Sequence, residues 1–583
     1  VKVPSFRILT SGLTDVSARF PLPVAATVVA TICAMLMIEQ SDLSARDFLL
    51  RLLLCSHLAF LIYLTVALYA ETHLKNTIGW YYLGSTIALV LIFFLFEPVD
   101  LETQLYRYLL LAASFHFLVA ISPFIGKSDD VACWRFNIRM AARFLTAVLY
   151  SIILYGGLAL GIASTNLLFD LDISSRVYEH LIILVFIAFN TLFFLAGLPR
   201  GWEEQGTGVD YPKFLRLFTQ YVLIPLATVY LLILLSYEIK LILQASLPRG
   251  RVSGLILGYA VCGLLTVLLL HPVQNDSSRP WVFYFLRFFY FTLIPLVVLM
   301  GLSIYARIDQ YGFTEERYIV LMLFIWLIGL TLYYIIRRKH GVKIIPASLA
   351  VLCLLATWGP QSASAVSARS QTLRLIDYFK KNHAFQNGFI VPIQQPTDDG
   401  EALEILRFIN LRYGMKPLQR FASINLDSLI AAADTVQDRN TRTWMRLEKV
   451  RSYYNLSFGM DSPAAYLSAS SYPADSLSVT GFSYFVEVDY PVRSPEASYQ
   501  CHADSIRLTL YWKNQSATFD LGPVLHLIRE NRSETNPYIT FRRGDWFCDD
   551  PAGRARLIIH NISFRLKEQH VSVESMNGWL MVR

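Results

Sequence analysis

The sequence predicts an α-helical polytopic membrane domain of about 11 transmembrane helices, then a soluble α+β, mainly antiparallel β, C-terminal domain. Three observations carry this. Eleven apolar stretches crowd residues 1–360, and a helix needs roughly 20 apolar residues to cross a hydrocarbon core of ~30 Å. The 583-residue chain is 54% hydrophobic and 16% charged, too apolar for a water-soluble chain of that size. Charge density then rises: residues 1–360 carry 26 Lys/Arg and 21 Asp/Glu, while the shorter 361–583 carries 25 and 23. The change falls near Trp358-Gly359-Pro360.

Hydropathy places the helices at about 21–38, 48–70, 77–96, 106–125, 140–162, 178–198, 219–244, 253–271, 281–304, 317–336 and 343–359. Lys2, Arg7 and Arg19 precede the first, as in a signal peptide. Its apolar run is long for that role and no A-x-A site follows, so a retained helix is expected. A cytoplasmic N-terminus leaves sixteen Lys/Arg in cytoplasmic segments and eight opposite, which is the orientation membranes favour. The cluster Arg337-Arg338-Lys339-His340, just before the last helix, adds weight. An odd helix count puts the C-terminal domain outside the cytoplasm. The net charge of +7 is not concentrated in any tail segment, so nucleic acid is not an expected partner.

The tail divides into a helical connector, 361–477, and a mainly β region, 478–583. Ala402, Ile405, Leu406, Ile409 and Tyr413 share one helical face, with Gly414 as its cap. From Ser478 the period becomes two: Phe482, Tyr484, Val486, Val488 and Tyr490, then Ile506, Leu508, Leu510 and Trp512. A further strand covers 556–566, and Asn577-Gly578 predicts a tight hairpin turn.

An internal repeat is visible. Phe214-Leu215-Arg216-Leu217-Phe218 leads into Ile224-Pro225-Leu226; Phe285-Leu286-Arg287-Phe288-Phe289 leads into Ile294-Pro295-Leu296. Each copy offers an aromatic and arginine anchor plus a helix-bending proline. A cavity or hinge beside Arg216, Pro225, Arg287 and Pro295 is one reading; ordinary flanks and prolines of membrane helices are the other.

Polar side chains inside apolar helices are costly. His57, His116, Asn190 and His271 are such groups, and hydrogen bonding between helices is the expectation for the histidines. No acid lies deep in a helix; Glu238 is near an end. That lowers a proton- or sodium-coupled transport reading. Thr314 is a natural N-cap, and Glu315 and Glu316 suit a helix start. Glu315 and Arg317 there, and Arg369 in the small polar stretch after the last helix, are further ligand candidates. Seven cysteines show no zinc spacing. No metal or cofactor is expected. An extracytoplasmic tail would permit a disulfide between Cys501 and Cys548. H-E-x-x-H, G-x-S-x-G and phosphate-loop motifs are absent.

Four segments together resemble a known bacterial multi-pass family: Asn190–Pro199, the repeat, Tyr311–Tyr318, and Trp358-Gly359-Pro360 continuing to Gln371. The family is catalogued as domain of unknown function 4153. The resemblance implies a bacterial inner-membrane protein, and no mechanism. The sequence therefore predicts a non-catalytic envelope protein set in the lipid bilayer, whose outer domain binds a protein partner or ligand. The alternatives are a transporter or channel near the Pro225 and Pro295 helices, and a membrane enzyme acting on a lipid-linked substrate.

Overall fold

The computed structural model describes residues 14–73, 78–96, 101–127, 129–199, 211–244, 252–274, 280–336, 341–394, 400–434, 439–456, 466–471, 484–490, 499–504, 507–512, 515–531, 538–541, 547–551, 555–567 and 570–582. The basic cluster at 337–340 and the start of the expected alternation at 478–483 lie outside them. The chain forms two compact units, 1–370 and 371–583.

In the first unit the helices are α1 (Pro21–Glu39), α2 (Leu43–His73), α3 (Ile78–Leu95), α4 (Leu101–Ile121) and α5 (Asp130–Phe169). Next come α6 (Ser175–Ile183) and α7 (Asn190–Ala196), joined by a π turn, Leu184–Phe189. A second π turn, Thr219–Leu223, joins α8 (Lys213–Phe218) to α9 (Ile224–Leu243). The set ends with α10 (Val252–Leu270), α11 (Pro280–Tyr311), α12 (Glu315–Ile336) and α13 (Ile344–Thr357). Among the described residues, ten spans are long and apolar enough to cross a membrane.

The eleventh expected span is α13, only 14 residues long, or ~21 Å at the helical rise. Its flanks extend it. Before it, Lys343 Nζ lies 3.4 Å from Asp130 Oδ1 and donates to the carbonyl of Lys127, just past the end of α4. Midway, Ser114 Oγ donates to the carbonyl of Ala350 at 2.9 Å. After it, Ser364 Oγ receives Arg107 Nη2 at 3.1 Å, near the start of α4. Residues 343–364 thus run beside the whole of α4, itself a full-length span.

Polar contacts sort the helix ends into two faces. On one, Arg19 pairs with Glu71 at 2.8 Å and donates to the carbonyls of Leu198 and Pro199. Phe20, Leu68, Phe124, Phe136 and Leu198 share a core at that end. On the other, Arg176 pairs with Glu39 at 2.9 Å, and Tyr106 donates to Glu316 at 2.7 Å. Helix α5 has 40 residues, far more than 140–162. Its polar first turns defeat a hydropathy window, yet Asp129 caps them and Cys133 and Phe136 bury against the neighbouring helices.

Helices α9 to α12 share one core. Gly263 gives α10 its close approach to α11: a Cβ there would meet the Phe289 ring at 1.9 Å. The two prolines behave differently. Pro225 follows a π turn, a widened turn that accommodates the donor proline lacks. Pro295 sits inside an uninterrupted α11.

In the second unit, α14 (Ala363–Lys381) enters from the first. It leads to β1 (Phe385–Gln386) and β2 (Phe389–Ile390), then α15 (Gly400–Tyr413), α16 (Lys416–Gln419), α17 (Leu426–Asp434) and α18 (Arg439–Tyr454). The expected face of α15 is buried, and Gly414 adopts φ +61° as its cap. Phe379, Leu406, Ile409 and Val450 centre this helical core.

The β-rich part begins at β3 (Tyr466–Ser471), earlier than the expected 478. It continues through β4 (Tyr484–Tyr490), β5 (Tyr499–Asp504), β6 (Arg507–Trp512), β7 (Gln515–Asp520), α19 (Gly522–Asn531), β8 (Tyr538–Phe541), β9 (Phe547–Asp549), β10 (Ala555–Lys567) and β11 (His570–Val582). One sheet runs β4-β11-β10-β3-β8 with β9 also on β10; another runs β5-β6-β7. All pairs are antiparallel except β3 with β8. Leu508, Leu510, Phe519, Leu557, Ile559 and Leu580 fill the core. Asn577-Gly578 is not a turn: both residues lie inside β11, paired with β10 and β4.

Candidate functional site

A cluster of buried polar side chains gathers at the starts of α4, α12 and α14. Helix α12 opens on Thr314, whose Oγ1 accepts from Arg317 N at 3.5 Å. The next residue, Glu315, is only 2% exposed. Its Oε2 accepts from Ser367 Oγ at 3.3 Å. A carboxylate is tolerated there because unpaired amides at a helix start carry partial positive charge. Tyr318, one turn on, donates to the carbonyl of Gln361.

Helix α14 opens on Ser362, which caps Ala365 N at 3.3 Å. Ser364 and Ser367 are small enough to let it pack closely, and both are buried. Arg107 Nη2 reaches Ser364, and Nη1 reaches Gln104 Oε1 at 3.5 Å. Phe313 N donates to Ser370 Oγ at 3.0 Å. Gly312 (φ +67°) and Gly359 (φ +96°) make the two turns that bring these starts together. The result ties three helices through charged hydrogen bonds. Among the described residues, no group of three or more His, Cys, Asp or Glu could hold a metal.

Other expected residues fall elsewhere. Arg317 folds back onto the carbonyls of Tyr311 and Gly312, at 3.2 and 3.0 Å, and stacks on Tyr311. Arg369 is exposed on α14. Asn190 follows the first π turn, with Ser151 Oγ 3.4 Å from its Oδ1. Arg216, Pro225 and Arg287 are exposed and Pro295 is half-buried. Of the eight expected positions, only Glu315 enters the cluster directly. Gln104, Tyr106, Arg107, Ser364 and Ser367 were not among the expected positions. Their signal was a polar stripe, at positions 103, 104 and 107, on an otherwise apolar α4.

A second group lies between α2 and α4. His57 Nδ1 and Tyr108 OH share a 2.8 Å hydrogen bond, and the His57 and His116 rings stand 5.9 Å apart. His57 thus bonds between helices as expected, whereas His116 Nδ1 bonds the carbonyl of Ala112 on its own helix at 2.7 Å.

In the second unit, Cys548 on β9 is a free, buried thiol. The side chain of Cys501, its expected bridge partner, lies outside the described residues. Burial pushes the Cys548 thiol up to about 11, with Asp520 and Asp549 adding to the effect. Its ordinary value is near 9.0, so the stabilisation is complete below that and lost as pH rises towards 11. Maleimide labelling at neutral pH should be slow in the folded chain and fast in denaturant. Fast labelling of the native chain would contradict this burial.

The fold and the cluster define a multi-pass helical membrane protein with a C-terminal α+β unit. The family described as "Domain of unknown function (DUF4153)" matches residues 24–379, and the chain belongs to it. The chain is also similar to "Uncharacterized protein PM1469" of Pasteurella multocida (strain Pm70), 24% identical over 353 residues. That match covers 60% of this chain and 57% of the relative. No solved structure matches.

Proposed function

We propose that this is a non-catalytic protein of the bacterial inner membrane, with a cytoplasmic N-terminus. In this reading its C-terminal unit faces the periplasm and binds a protein partner or ligand, and the helices anchor it and relay its state. The observation that carries the reading is the clamp on α14. Arg107, Glu315, Tyr318 and Gln361 fix the first turns of α14 and the residues before it, and the rest of that helix belongs to the C-terminal unit. The lipid bilayer is the other partner. A transporter with a path near the Pro225 and Pro295 helices is the second reading, favoured by the π turn beside Pro225.

The test uses the full chain in native membranes. A photo-reactive residue replaces exposed Tyr511, and a C-terminal phosphatase fusion reports the side. Phosphatase activity together with one cross-linked adduct of defined mass supports the envelope-binding reading. A fluorescent C-terminal fusion without phosphatase activity overturns the orientation. Solute flux in proteoliposomes without any adduct would favour the transporter.

A further inference from the structure

We propose that Arg139 and Arg143 of α5 hold the phosphate of an anionic phospholipid, at the face that also carries Arg19 and Lys343. The two arginines are four residues apart, so they share one side of the helix. Arg19, Arg176 and Lys343 each have a carboxylate partner. Among the described residues, Arg139 and Arg143 have no ion-pair partner.

Their depth makes this informative. Asn137 Nδ2 donates to the carbonyl of Ala120 at 2.8 Å, one residue before α4 ends. The helical rise then puts the Arg143 backbone ~9 Å deeper into the apolar layer. An unmatched guanidinium there is costly. Side chains on a helix lean towards its N-terminus, and Arg143 does so: its Cδ lies 2.8 Å from where a Gly197 Cβ would sit. Gly197 ends α7, and the next two carbonyls bind Arg19. The stem of Arg143 therefore rests in a slot that only glycine leaves open, with its charge directed back to the membrane face.

Below the charges, on the same side of α5, Tyr150 is 47% exposed and Ile153 62% exposed. Tyr150 meets Phe193 edge-on, with ring centroids 5.2 Å apart. Two cations without an ion-pair partner among the described residues, above exposed apolar side chains, match the order of headgroup and acyl chains in a phospholipid. Their paired positive charge selects an anionic lipid over a zwitterionic one.

The experiment is native mass spectrometry of the full chain taken from vesicles of equal parts phosphatidylglycerol and phosphatidylethanolamine. Wild type should retain phosphatidylglycerol preferentially. Losing one arginine should cut retention about fivefold, and R139Q/R143Q about thirtyfold. R139K/R143K keeps both charges and should stay within a few-fold of wild type. R46Q, at an exposed arginine on the opposite face, should change nothing. Phosphatidylglycerol should also raise the Tm of wild type and not of R139Q/R143Q. If the double variant does not fold, R143Q alone reads the same loss. Equal retention in wild type and the glutamine variants overturns the proposal. So does loss of self-association without loss of lipid, which would place a second copy's carboxylate at the site.

Discussion

Replacing Gly578 by alanine should destabilise the β-rich part of the C-terminal unit by about 3 kcal/mol or more. A Cβ at 578 would lie 2.1 Å from the carbonyl oxygen of Ile558, a backbone atom with no rotamer to change. The close approach arises at an irregularity between Ile559 and Asn561, where β10 and β11 shift register. A strand glycine beside such a bulge lets two backbones meet. Relief would require β10 to move, and β10 also pairs with β3 and β9. The check is denaturant unfolding of the full chain followed by fluorescence, with Ser575→Ala on the same strand as the control. A G578A variant within 0.5 kcal/mol of wild type would mean the strands do not approach this closely.

The same residue shows where the sequence misleads. Asn-Gly between apolar runs signals a primed hairpin turn, and the chain contains the pair twice. At Asn387-Gly388 both residues have positive φ, 51° and 86°, and join β1 to β2. At Asn577-Gly578 the pair continues a strand, because neighbouring strands on both sides supply hydrogen bonds that a local rule cannot see. Helix existence was legible in the first unit, since burial in lipid imposes apolar composition directly, but not at α19 inside the β-rich part. Helix ends were not: α5 begins ten residues before its expected start, because its first turns are polar. The site was half legible. Thr314 and Glu315 announced themselves as a helix start, whereas nothing local to Arg107 pointed to Ser364. Only the path of α13 beside α4 brings Ser364 to it.

The second large effect is expected at Glu315. An E315A variant should destabilise the helical unit by about 3 kcal/mol. It removes a charged acceptor at the first turn of α12 and leaves Ser367 Oγ, in a fully buried residue, without that acceptor. E315Q keeps an acceptor oxygen and should lose about half as much. S367A removes the donor and should cost about 1 kcal/mol. The double variant E315A/S367A should lie closer to E315A than the two single losses predict, because the serine no longer has an unmet hydroxyl. Scanning calorimetry of the reconstituted full chain reads all four. Strict additivity would mean that the two side chains act independently. The cross-link at position 511 separates anchoring from recognition. If the clamp serves relay, partner capture persists in E315A while the stability of the helical unit falls. Loss of both together would place Glu315 in the binding event itself.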